Sequence, residues 1–148
     1  MFSQDRDSMR RYFLEAWRKA SDGEPLDPLE HRIAEVVREH PEYHALLGAP
    51  EKAMGRDYLP EDGETNPFLH LSLHIAILEQ VGTDRPTGVR DLYLRLVGLS
   101  ADAHEAEHRI MDCLARGLWE AQRSGLPPDE RAYVKCLESL AGQHHKKV

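Results

Sequence analysis

Two pairs of histidines are the residues most able to do chemistry in this chain. His70 and His74 sit in the segment Asn66-Pro67-Phe68-Leu69-His70-Leu71-Ser72-Leu73-His74, and His104 and His108 flank Glu105-Ala106-Glu107. Side chains four residues apart stack on one helix face, close enough to share a single ion. A neutral imidazole is the commonest metal ligand, and burial keeps an imidazole neutral. On a helical wheel His70 and His74 align with Leu73, Ile77 and Val81. Glu107 falls near the middle of the apolar face made by Ile110, Met111, Leu114 and Leu118. A carboxylate aimed into a core is costly unless it is paired or coordinates a cation. The expected ligand set is therefore His70, His74, His104, His108 and Glu107, with His44 or His40 as an addition from a third segment.

Nitrogen and oxygen donors without a thiolate suit a transition metal such as iron, zinc or manganese. The chemistry open to such a site is activation of a bound water or small ligand, with Glu107 as the proton acceptor. Storage or sensing of the ion without catalysis fits equally well. The competing reading is an interaction or assembly protein whose histidines and glutamate form a buried structural network. The string His104-Glu105-Ala106-Glu107-His108 also matches His-Glu-x-x-His, but no strand edge is evident to hold a peptide substrate.

Helices must position these groups. Met9, Phe13, Ala16, Trp17 and Ala20 recur at three- and four-residue steps, predicting a helix that ends near Asp22-Gly23. Asp27, Pro28 and Glu30 spell a capping box with proline at the first helical position. Ile33, Val36 and Val37 then form a stripe whose extension lands on His40, where Pro41 interrupts the helix. A short helix over 41–48 follows, and 49–65 reads as a long irregular surface connection. Asn66 is expected to cap the central helix. Three further helices are expected: Thr87 to Gly98, Ala101 to Ser124 capped by Ser100 and closed by Gly125, and a last one started by Pro127-Pro128-Asp129. No strand-like alternation appears. The expectation is an all-α bundle of five or six helices, forming a single domain over 1–142 with a polar tail at 143–148.

The totals bound the function. Hydrophobic residues make up 41% and charged residues 30% of the 148, and the net charge is -7. An acidic chain without a basic patch argues against nucleic acid as a partner. No apolar run approaches a membrane span, and the N-terminus lacks an apolar signal core, so a cytoplasmic protein is expected. Cys113 and Cys136 are too few and too far apart in sequence to suggest a disulfide framework, and the wheel sets Cys113 toward the polar side. Beyond a metal ion, self-association or a protein partner stays an open alternative.

Several stretches carry a family resemblance. The opening Met1-Phe2-Ser3-Gln4-Asp5-Arg6, Asn66 to His70 with His74, Asp84-Arg85-Pro86, Glu105-Ala106-Glu107-His108 and Leu118-Trp119-Glu120-Ala121-Gln122 resemble a bacterial domain-of-unknown-function family, number 1841. The likeness runs from Met1 to about Leu140, and it implies no activity, substrate or cofactor. In arrangement alone, the paired histidines are similar to hemerythrin-like and DinB-like metal-binding bundles.

Overall fold

A computed structural model describes residues 2–58 and 66–145, with side chains described for 6–58 and 66–142. The elements in order are α1 (Phe2–Ser21), α2 (Pro28–Arg38), a 3-10 turn (Pro41–Tyr43), α3 (His44–Leu47), α4 (Pro50–Met54), α5 (Pro67–Thr83), α6 (Val89–Gly98), α7 (Ala103–Ser124) and α8 (Glu130–His145). The fold is all-α, with no strand among the described residues. Among the described residues there are eight α-helices, of which α3 and α4 are single short turns of four and five residues; the six others match the expected five or six. The chain divides into two compact units, the first ending at Ile75 and the second starting at Ala76, inside α5.

In the first unit α1 packs against α2, α3 and α4. Phe13, Leu14 and Ala16 of α1 are buried, as are Ile33, Ala34, Val36 and Val37 of α2. Each large apolar side chain among them contributes about 1.5–3 kcal/mol relative to exposure. The rings of Phe13 and Phe68 stack at 6.1 Å, fixing the start of α5 against α1. Asn66 caps α5 as expected, its Oδ1 accepting from the backbone N–H of Phe68 and Leu69 at 3.0 and 3.2 Å.

The capping box at α2 is complete. Asp27 Oδ1 accepts from the Glu30 N–H at 2.7 Å, and Glu30 Oε1 accepts from the Asp27 N–H at 3.0 Å. Tyr12 donates its hydroxyl to the other Asp27 oxygen at 2.7 Å. The Glu30 backbone N–H, then the Tyr12 hydroxyl, hold the Asp27 carboxyl below its ordinary value. A depressed folded-state value means that this cap stabilises fully above the unfolded carboxylate range, near pH 4, and that its contribution disappears as pH falls through the folded value. Asp27→Asn keeps a capping oxygen but no titration. The stability gap between wild type and this variant is therefore expected to shrink between pH 7 and pH 3 in urea denaturation series.

The expected irregular connection over 49–65 is corrected in part. Pro50–Met54 forms α4, with Ala53 buried, and 59–65 lie outside the described residues. The residue responsible is Arg10, whose side chain is almost wholly buried. Its guanidinium donates to the carbonyls of Ala53 at 2.9 Å and Arg56 at 2.7 Å and lies 4.8 Å over the Phe68 ring.

In the second unit α6, α7 and α8 pack on one another pairwise. Leu92 and Leu96, Ile110 and Met111, and Tyr133, Leu137 and Ala141 supply the buried stripes, the last at a four-residue repeat. Asp84, at φ 51°, shapes the turn before α6 by accepting from the N–H groups of Gly88 and Arg90 at 3.2 and 3.0 Å. The start of α7 is a second correction. Asp102, not Ser100, is its cap, accepting from the Glu105 N–H at 2.8 Å, and Glu105 reaches back to the Ala101 N–H at 2.8 Å. That pair offers two anionic acceptors to the helix start, which a serine two residues earlier cannot match. Gly125 closes α7 in the left-handed region at φ 73°, as expected.

The cysteines are a third correction. Cys113 is buried and forms a disulfide with Cys136, with their Cα atoms 5.9 Å apart. Twenty-three residues separate them in sequence. The turn at 125–129 brings α8 back along α7, so the separation is spent within one helical hairpin. No helix among the described residues is long and apolar enough to cross a membrane.

Candidate metal centre

Pro41 shapes the histidine cluster of the first unit. It has no N–H to continue α2, so His40 leaves the helix with φ -124° and ψ 69° and turns its ring inward. His40 is fully buried, and its Nδ1 lies 2.7 Å from the Val36 carbonyl. A carbonyl only accepts, so Nδ1 carries the proton. In the neutral ring Nε2 is then the basic, ligand-competent nitrogen, the arrangement by which proteins orient metal-binding imidazoles.

His74 on α5 is also fully buried, and His70, one turn earlier, is half-buried. The three rings form a triangle: 4.6 Å from His40 to His74, 5.0 Å from His40 to His70 and 4.9 Å from His70 to His74. Tyr43 stacks on His40 at 5.5 Å and closes one side. Burial, then the neighbouring Glu42, raises the Tyr43 phenol above its ordinary value, so it stays protonated beside the imidazoles. His40 and His74 each offer a ring nitrogen within 4.8 Å of the other's. Two imidazole nitrogens on one tetrahedral ion stand about 3.3 Å apart, given bonds near 2.0–2.1 Å. Small rotations of the rings span that difference.

His44 is placed differently. Its Nε2 donates to the Val37 carbonyl at 2.8 Å and its ring tilts over Trp17 at 4.7 Å. It thus covers one of the last carbonyls of α2, where the helix dipole favours a donor.

In the second unit, His104 and His108 stand one turn apart on α7 with ring centroids 4.3 Å apart, both half-buried. Each offers a ring nitrogen within 4.8 Å of the other's. Glu107 is buried, as its place on the apolar face predicts, and its Oε2 accepts from the Tyr93 hydroxyl at 2.8 Å. Tyr93 comes from α6, and nothing in the sequence of that helix marks it as a partner of Glu107. The signal that would have found it is the need of a buried carboxylate for a donor from a facing helix. Tyr93→Phe removes that donor and is expected to cost about 1–3 kcal/mol in urea denaturation, because a charge-assisted hydrogen bond to a buried group is lost.

Chemically, the imidazole cluster of each unit is suited to a borderline transition metal rather than to magnesium or calcium. Both cysteines are committed to the disulfide, so the donors are nitrogen and oxygen. No curated protein and no solved structure matches this chain. No match shows the hemerythrin-like or DinB-like likeness. A family model described as a domain of unknown function (DUF1841) matches residues 5–139, nearly the whole length. The chain belongs to the DUF1841 family.

Proposed function

We propose that the chain binds a transition-metal ion, iron, zinc or manganese, with His40 and His74 as its buried ligands in the first unit, and that His104 and His108 on α7 are a second imidazole pair able to ligate such an ion. The observation that supports this most is His40, buried with its Nδ1 proton committed to the Val36 carbonyl and its ring 4.6 Å from that of His74. That is how a ligand imidazole is held. His70 packs against both buried rings and supports their orientation. Glu107, steadied by Tyr93, is the carboxylate suited to take a proton from a water activated by the ion. An ion held there would supply Lewis acidity.

A second reading has an observation of its own. His40 and His44 both donate to the last carbonyls of α2, which alone fixes the register of that helix end. Elemental analysis of untagged protein separates the two. Metal near one equivalent in the wild type, lost in the double variant His40→Ala/His74→Ala, supports the ion. Less than about a tenth of an equivalent after growth with ample iron, zinc and manganese overturns it and leaves the structural reading.

A further inference from the structure

We infer that the Cys113–Cys136 disulfide is a thiol-exchange site at which a small, uncharged thiol attacks Cys136 Sγ. Both cysteines line a cavity of about 430 Å³ between α7 and α8. Their surroundings differ: Cys113 is buried at 4% exposure, while Cys136 is half-buried. Access decides which sulfur of a disulfide is attacked, and here it favours Cys136. The cavity is large enough for a molecule of a few heavy atoms, and its lining combines apolar side chains such as Leu126 and Pro127 with three charged ones. Arg116, Glu120 and Asp129 line it, one cation against two anions. That balance repels an anionic thiol relative to a neutral one.

The exchange balances as follows. The incoming thiolate sulfur bonds to Cys136 Sγ and is oxidised, and the Cys113–Cys136 bond breaks. Its electron pair stays on Cys113 Sγ, which is reduced and takes a proton from water. A second thiol then attacks the mixed disulfide, releasing the symmetrical small disulfide and leaving Cys136 as a thiol. In the reverse direction Cys113 resolves the mixed disulfide on Cys136. This reversal keeps the adduct short-lived in the wild type, because the resolving sulfur sits on the neighbouring helix with Cα atoms only 5.9 Å apart.

The test is to remove each sulfur in turn and offer the neutral probe 2-hydroxyethyl disulfide, following intact mass. Cys113→Ser is expected to accumulate a single adduct on Cys136. Cys136→Ser is expected to react at least tenfold more slowly, because Cys113 is enclosed. Equal rates in the two variants, or no adduct in either, overturn the proposal and leave an inert cross-link. Wild-type protein gives a reading that does not depend on either variant folding. After brief exposure to 2-mercaptoethanol and then iodoacetamide in denaturant, peptide mapping of the singly exchanged protein is expected to find the 2-mercaptoethanol adduct on Cys136 and the alkyl label on Cys113, at least tenfold over the reverse pattern. Equal amounts of the two patterns, or the adduct mainly on Cys113, overturn it.

Discussion

Adding zinc or ferrous iron to metal-stripped protein is expected to raise its melting temperature by roughly 5–10 °C at a hundredfold excess over Kd. A ligand bound only by the folded state at that excess contributes about 2.7 kcal/mol, and a chain of this size gains about 2–4 °C per kcal/mol. In His40→Ala/His74→Ala the rise is expected to vanish, since the buried imidazole pair of the first unit is gone. His44→Ala is the informative control. Its Nε2 is already committed to the Val37 carbonyl and its ring to Trp17, so the variant is expected to melt lower and yet keep the full metal-dependent rise. Imidazoles bind metal only when unprotonated, so acid competes with the ion and the rise is expected to shrink as pH falls through the ordinary histidine range. A purely structural histidine network predicts no metal-dependent rise at any pH, in any variant. Differential scanning fluorimetry across pH, with and without metal, checks all of these outcomes.

The sequence carried the helices well where a local rule decides. Asp27, Pro28 and Glu30 gave the start of α2, and Asn66 the start of α5, because a cap acts on backbone within three residues of itself. Glu107 was legible as buried because its neighbours on α7 fix the face on which it lies. The misses share a cause. Ser100 and Asp102 are both capping residues, and only the reciprocal reach of Glu105 to Ala101 separates them. His40 was readable only as an extension of the α2 stripe, since its inward turn depends on dihedrals set by Pro41. The cysteine pair depends on how α8 returns along α7, which no periodicity within either helix records. Arg10 was invisible for a similar reason: a basic residue beside an apolar stripe ordinarily extends its head to solvent, and only the carbonyls of Ala53 and Arg56 hold it inside.

Arg10→Met is therefore expected to destabilise the first unit by about 3 kcal/mol, although methionine fills much of the same volume. The guanidinium is nearly inaccessible, and burial pulls its pKa below the ordinary arginine value. It stays a cation all the same, because no pH at which proteins fold approaches even a lowered arginine value. A buried cation is tolerated only where its donors are used, and here they meet carbonyls at the end of α4, which a five-residue helix leaves without partners of its own. Removing the donor exposes that shortfall: hydrogen bonds from a charged group are worth about 1.5–3 kcal/mol, and loss of the contact with the Phe68 face adds to it. The damage should be local before it is global. A helix of one turn cannot persist alone, so the amides of 51–54 are expected to lose hydrogen-exchange protection first, while those of α2 keep theirs. Uniform loss of protection across the unit would mean that Arg10 supports the whole core and not the docking of α4. Unchanged protection at 51–54 would mean that α4 is held by the burial of Ala53 alone.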